Sequence, residues 1–453
     1  MSAANTIGTS TPDTSGHSGR TTQVGTLNDL FSQMATKHPH NTIINSAQRT
    51  LTYQSVENSS NHLASALLRH GVQLGDPVLI HCSDHAQALV AQVAVLKLGG
   101  VCVPVPHHAD TALLGQITEL SGAMLVLCSN ATREHWSLPA AVLDDERTWA
   151  KITPLRTDGS LPRSGAADVA YLLPEFSPDG SVTGHLIDHR AWLLATGARL
   201  RRAGRARHGI SAGTQVGSAR DLVAAWWAIA AGTSLQEPRP TGGTEFAKQL
   251  RSSGISSVHG PDEYAALLTD VPPASGTEDR PATVLITGGP LPAGTAERHA
   301  ELLPYARLLA EFSPRDGAMP WTARDCGADS WNPEPPSLVG TSVPRVRVTI
   351  RNPDGEELPA GATGQIWAAG TALPFDRLCD GCHDTPVSHR GSFTHSGYLG
   401  RWTDNGSLQV LDRTHRKPAD RLDTTTPPRP MQHILSCTST PNPETTQICG
   451  VGR

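Results

Sequence analysis

The sequence predicts an α/β protein built on parallel sheets and completed by a small β-rich, barrel-like subdomain. From residue 27 to about 129, apolar residues at helical spacing alternate with short apolar runs, the pattern of parallel βαβ units. From about residue 338 the pattern becomes short strands separated by Asp354-Gly355 and Asn405-Gly406 turns. A chain of 453 residues is long enough for more than one core, and its 42 glycines and 35 prolines indicate many turns.

Taken in order, residues 1–25 are polar, dominated by Ser, Thr and Gly, and predict a disordered tail. Residues 56–68 and 86–98 read as helices, and 78–81 and 124–128 as strands. A linker with Gly, Ser, Pro and Arg covers 154–167. It leads to the apolar run Val169-Ala170-Tyr171-Leu172-Leu173, expected as a strand. A helix is expected from His189, which opens a stretch containing Trp192, Leu193 and Leu194. Residues 222–231 and 264–268 read as helices and 283–286 as a strand, then 345–350, 364–368 and 408–411 as strands. From 418 onward the chain has no periodicity and reads as unstructured. The expected organisation is a tail (1–25), an α/β core of two subdomains (26–337), a β-rich subdomain (338–413) and a shortened hinge with a disordered tail (414–453).

Charge and cysteine usage exclude several classes. A net charge of −5 gives no reason to expect nucleic acid or an anionic membrane as partner. The N-terminus lacks the apolar core of a signal peptide and the chain has no long apolar span, so a cytoplasmic location is expected. Eight cysteines are too dilute for a disulfide scaffold.

The stretch Glu175-Phe176-Ser177-Pro178-Asp179-Gly180-Ser181-Val182-Thr183-Gly184 follows the strand and leads toward the helix. Strand, Gly/Ser/Thr turn and helix together aim backbone N–H groups at an anion. Ser177, Gly180, Ser181, Thr183 and Gly184 are therefore candidate phosphate ligands. Thr183 stands where a lysine is expected, and His185 and Arg190 are the nearest substitutes. Taken alone, the same stretch also reads as an ordinary turn.

With its flanks, Asp168-Val-Ala-Tyr-Leu-Leu and His189-Arg190-Ala191, this stretch resembles the nucleotide loop of the adenylate-forming superfamily, nearest to the adenylation domains of nonribosomal peptide synthetases. Leu96-Lys97-Leu98-Gly99-Gly100-Val101-Cys102-Val103-Pro104-Val105 resembles a second core motif. Gly288-Gly289-Pro290-Leu291-Pro292 resembles the turn before the adenine site, and Phe312-Ser313-Pro314-Arg315-Asp316 the aromatic-Gly-Pro-Thr-Glu motif. Ser396-Gly397-Tyr398-Leu399-Gly400-Arg401-Trp402 resembles the late Thr-Gly-Asp motif. The motifs follow the family's order from about Leu27 to Arg413. The resemblance implies ATP-dependent activation of a carboxylic or amino acid to an acyl-adenylate, a mobile C-terminal domain bearing a catalytic lysine, and a small β-rich subdomain before it. Asp412-Arg413-Thr414-His415 resembles the start of the hinge with His415 in place of its aspartate. The polar tail beyond it cannot bury a core, so the C-terminal domain is expected to be absent.

Position by position, the resemblance places the magnesium-binding glutamate on Asp316, which also reads as a turn aspartate. It places the adenine-stacking aromatic on Phe312, which also reads as core, beside Gly288 and Gly289. The adenine-reading asparagine falls on Ala310. The ribose-binding aspartate falls on Tyr398, with Arg413 nearby at the hinge. His189, Ala219 and Asp221 fall at the acid pocket: the aspartate that holds an α-amino group coincides with Ala219, and Asp221 is two residues out of register. A bound ammonium without a charge partner is disfavoured, so a non-amino carboxylic acid is the expected substrate. None of the five lysines lies at the loop. The implied cofactors are ATP and Mg²⁺, to the extent that nucleotide binding is kept. The implied partner is a carrier protein or a synthetase subunit supplying a C-terminal domain. Losses at separate catalytic steps imply impaired catalysis; the alternative is a pseudoenzyme acting as scaffold or ligand-binding partner.

Three features stand outside this frame. Cys379-Asp380-Gly381-Cys382-His383 matches a haem-attachment pattern and could seed zinc with His389 or His395, but haem attachment needs export and there is no second Cys pair, so neither is expected. The arginine run from Arg199 to Arg207 reads as a solvated face or a partner site. Trp226 and Trp227 read as helix core or as the floor of the acid pocket.

Overall fold

Two sheets organise the chain. The computed structural model describes residues 25–46, 49–155, 161–162, 164–177, 180–211, 213, 215–237, 242–272, 282–327, 337–379 and 393–414. The N-terminal tail to residue 24, Pro178 and Asp179, the Cys-x-x-Cys-His motif beyond Cys379, and the hinge and tail from His415 lie outside the described residues.

The first sheet has seven strands in the order Asp376–Cys379, Val182–Asp188, Val169–Phe176, Val101–Pro104, Pro77–His81, Val126–Cys128 and Ala140–Val142. Its centre is parallel, and its first three strands are antiparallel to one another. The central strands Pro77–His81 and Val101–Pro104 are buried throughout, as expected of parallel strands covered on both faces. The helix His85–Lys97 beside them is buried at every position. A helix apolar over most of its circumference belongs inside. Asp84 starts it by accepting the Gln87 N–H at 2.8 Å.

The second sheet has thirteen strands. Thr42–Asn45, Leu235–Gln236, Ile210–Ser211, Ser256–His259, Ala282–Gly288 and Ala306–Phe312 form its parallel half, with Thr50–Thr52 at the edge. Thr322–Asp325 and Leu338–Ser342 then turn it antiparallel. Leu338–Ser342 also pairs with Leu408–Arg413, which leads on to Thr394–Trp402, Gly364–Gly370 and Val346–Arg351. The β-rich part therefore grows out of the α/β part through one shared strand. Gly340 makes that sharing possible. It sits at φ +85°, and a Cβ there would strike the Ala323 carbonyl.

Most expected elements appear with shifted ends. The helix read at 56–68 is Tyr53–Arg69, capped by Thr52, and that at 222–231 is Ala219–Ala231, capped by Ser218. Trp192, Trp226 and Trp227 are fully buried between the sheets. The Trp226 indole N–H donates to the Tyr171 hydroxyl (2.9 Å), which donates to Gln92 Oε1 (2.8 Å). Both tandem tryptophans are core, and Trp226 is tied by a satisfied polar chain. Arg199 from the basic run is also inside. Its Nε donates to Glu311 at 2.8 Å, and its guanidinium donates to the Ala318 carbonyl. Among the described residues no helix is long and apolar enough to cross a membrane.

Candidate functional site

The loop differs from the expected strand–turn–helix arrangement. Val169–Phe176 and Val182–Asp188 are antiparallel, so the turn at Ser177–Ser181 closes a hairpin. The helix His189–Ala203 begins only after the second strand. The second strand escaped the sequence reading because Gly184 and His185 interrupt its apolar pattern. Gly180 closes the turn at φ +82°, and Ser177 N–H donates to Ser181 O at 3.0 Å. Thr183 is a buried strand residue paired with Glu175, and Gly184 is pressed against Leu172, leaving no room for a Cβ. Lys97, in the second core motif, is buried against Glu57 (2.9 Å) and Asn61 (2.6 Å), so it supplies no cation to the loop.

The hairpin meets the Phe312–Asp316 segment where the two sheets join. His185 lies 2.8 Å from Glu175, and Arg315 reaches the same carboxylate at 3.8 Å. Burial alone would raise the Glu175 pKa, but His185, then Arg315 and Arg377, hold it below the usual value. Asp316 is buried beside them. Its Oδ1 accepts N–H groups from Ala318 (2.8 Å) and Met319 (2.5 Å), as a turn aspartate does, while its Oδ2 is buried without a hydrogen-bond partner. Burial pushes its pKa up, partly offset by His185. The unpartnered oxygen suits one hard ligand to Mg²⁺, which takes few protein oxygens alongside phosphate and water. Among the described residues no cluster of three or more His, Cys, Asp or Glu is placed to hold a metal.

A second group gathers around Tyr398. Gly288 pairs in parallel with Phe312, and a Cβ on Gly289 would touch the Tyr398 hydroxyl at 3.3 Å. The Phe312 ring is 1 % exposed, edge-on to Trp321 and to Tyr398 at 5.5 Å. It is a buried aromatic packed among other rings. Arg413 is the cross-strand partner of Tyr398. Its guanidinium stands over that ring, and its Nε donates to the hydroxyl at 3.1 Å. Gly289, Tyr398 and Arg413 line a cavity of about 430 Å³, together with Asp262, Leu291 and Asp412. Its size lies in the range of roughly 300–1,000 Å³ typical of small-molecule sites.

His189, Asp221 and Ala219, carried over to the acid pocket, have the following surroundings. His189 is fully buried, and its Nδ1 accepts the Leu27 N–H at 3.1 Å, fixing the start of the first helix. Asp221 accepts the Gly217 N–H (3.1 Å) and pairs with His85 (3.1 Å). Burial works against the charged form of His85, but Asp221, with Glu237, outweighs it and raises the pKa. Asp221 is therefore engaged within the protein. Ala219 abuts Gly317, one residue from Asp316, and so brings an apolar side chain near the Asp316 turn.

The buried histidines set an acid limit on stability. Burial lowers His189 from its ordinary 6.5 to about 4; burial, then His107 and His135, does the same to His81, whose Nδ1 accepts the Trp136 N–H. A base with a depressed folded pKa contributes its full stability above about pH 6.5 and loses it as pH falls toward 4. Each histidine is worth roughly 3 kcal/mol. Urea midpoints should therefore fall steeply from pH 6.5 to 4.5; a flat profile there would refute the assignment.

Comparison with known proteins fits this geometry. The family model described as AMP-binding enzyme matches residues 31–173. The chain is 25% identical over 409 residues to phosphinothricin tripeptide synthetase PhsC of Streptomyces viridochromogenes, covering 86% of this chain and 36% of that protein. It spans about a third or less of the length of the curated relatives it matches. The Klebsiella oxytoca NpsA N-terminal subdomain, solved with 3-hydroxyanthranilyl-AMSN, superposes with a TM-score of 0.70 at 17% identity, covering 86% of this chain and all of that one. An artificially fused adenylation–PCP di-domain, NpsA–ThdA, superposes at 0.71 and 17% identity, covering 87% of this chain and 80% of that one. At such identities the structural likeness speaks to fold.

Proposed function

We propose that this chain, which is adenylation-domain-like and carries the adenylate-forming fold, keeps the shell of a nucleotide site and is impaired in acyl-adenylate formation. The observation that carries the reading is Tyr398. In the place of the ribose-binding aspartate stands a phenol packed on Phe312 and held by Arg413. One hydroxyl cannot replace a carboxylate that accepts from both ribose hydroxyls. At the loop, Thr183 supplies no charge to stabilise the phosphate oxygens as they react. Removing one positioned group of that kind costs about 2.7–4 kcal/mol, or a hundred- to a thousandfold in rate.

Asp316 is the residue that would hold Mg²⁺, which when bound would neutralise charge on the phosphates. An acid substrate would be a carboxylic acid without an α-amino group, because Asp221 is engaged by His85 and Ala219 offers no charge. The partner would be a carrier protein, or a synthetase subunit contributing a C-terminal domain. Its place would be beside other synthetases of nonribosomal-peptide-type biosynthesis in the cytoplasm.

The isolated chain should show no ATP–pyrophosphate exchange with a panel of amino, aryl and fatty acids; robust exchange with any one acid would overturn the reading. Calorimetry with ATP and Mg²⁺ tests the retained shell. Heat that disappears in Asp316→Ala supports a surviving nucleotide site, whereas no heat from the parent chain favours a scaffold without nucleotide.

A further inference from the structure

We propose that the turn after the helix His189–Ala203, bearing Arg201, Arg205, Arg207 and His208, is a docking surface for an acidic segment of a partner protein. The surface lies away from the candidate nucleotide site, and the inference does not depend on how that site is read.

The topology sets the place of this turn. It connects the helix to Ile210–Ser211, an inner strand in the parallel half of the second sheet. Ala203 O accepts from Thr283 Oγ1 at 3.3 Å, at the start of Ala282–Gly288, and Arg202 O accepts from Arg307, at the start of Ala306–Phe312. The turn therefore sits at the amino ends of these strands, whereas Gly288, Gly289 and the Phe312–Asp316 segment lie at their carboxyl ends. Strands of seven residues separate the two ends by roughly 20 Å, so a segment seated on the turn stands clear of the site.

The turn is held in one shape. The Trp227 indole N–H donates to Gly204 O at 3.1 Å, Gly209 N–H donates to Ala206 O at 3.0 Å, and Ala206 packs against the main core. Ala206 is kept at φ +36°, a left-handed conformation that is unfavourable for a residue with a Cβ and that these contacts must maintain. On this frame Arg201, Arg205, Arg207 and His208 are exposed, and among the described residues none of the four makes an ion pair. The helix dipole accounts for Arg201 in the last turn, but Arg205, Arg207 and His208 lie beyond it. Guanidinium forks match carboxylates bidentately, so a preorganised pair of them fits an acidic peptide segment. The run has no Phe, Tyr or Trp on which bases could stack, and no exposed large apolar side chain to enter a lipid surface. The net charge of −5 also disfavours a long polyanion.

The test titrates the full chain, in low salt, into a labelled oligoglutamate peptide followed by fluorescence anisotropy. Arg205→Ala/Arg207→Ala should bind the peptide at least tenfold more weakly than the parent. Arg49→Ala/Arg147→Ala removes the same charge from exposed arginines elsewhere and should stay within threefold of the parent. Urea midpoints of both double variants should match the parent, since every substituted side chain is exposed. No binding by the parent, or equal binding by the parent and Arg205→Ala/Arg207→Ala, overturns the proposal. Equal losses in the two double variants also overturn it, because net charge alone would then explain the binding. So does a labelled single-stranded oligonucleotide, or a phosphatidylserine vesicle, that binds more tightly than the peptide and is lost with Arg205→Ala/Arg207→Ala.

Discussion

Arg199→Met is expected to destabilise the chain by about 3–5 kcal/mol, because it leaves the Glu311 carboxylate buried without its charge partner and removes the donor to the Ala318 carbonyl. That is a large share of the roughly 5–15 kcal/mol that holds a typical protein folded. Burial already raises the Glu311 pKa despite Arg199, so without the arginine the acid would be driven further toward its neutral form. The readout is the urea midpoint at pH 7.5, followed by tryptophan fluorescence. The double variant Arg199→Met/Glu311→Leu should recover most of the loss, since exchanging a buried pair for apolar groups is often neutral. A single variant within 1 kcal/mol of the parent (about the error of such comparisons) would mean the pair holds nothing together.

Gly340→Ala is the second large effect. The new methyl would meet a left-handed φ of +85°, at a cost of about 1–3 kcal/mol. It would also be forced into the Ala323 carbonyl, adding about 1–3 kcal/mol as overpacking does. Gly355→Ala is the matched control, with φ +86° and open space around the Cβ. The midpoint difference between the two isolates the clash. If both variants lose the same stability, the close approach of Leu338–Ser342 to Thr322–Asp325 is not a tight one.

The parallel α/β alternation was legible because its strands are continuous apolar runs, as at Pro77–His81, and its helices carry caps such as Asp84 and Ser218. The hairpin was not, because the strand Val182–Asp188 is buried while carrying Thr183, His185 and Asp188, and a strand rich in buried polar groups has no alternation to read. The edge strand Asp376–Cys379 was missed for a related reason. Its partner lies far back in the sequence, and four residues give no periodic signal. At the site, motif order located Gly289, Tyr398 and Arg413 around one cavity and Asp316 at the sheet junction. Motif order could not show that His189 serves the Leu27 N–H or that Asp221 has His85 as partner, since both bonds join residues more than a hundred positions apart. The approach of Arg315 to Glu175 was not legible either, since the two lie 140 positions apart.

The edge strand Asp376–Cys379 also bears on how such a chain can be inherited. It is drawn from within the β-rich region yet completes the rim of the other sheet, beside His185. A recombination event that exchanged residues 338–413 as a cassette would swap the neighbour of the Val169–Asp188 hairpin along with the small subdomain. Crossovers at that seam therefore alter the loop's surroundings without touching its sequence, and functional swaps between relatives should tolerate breakpoints that keep the hairpin and its edge strand from the same parent.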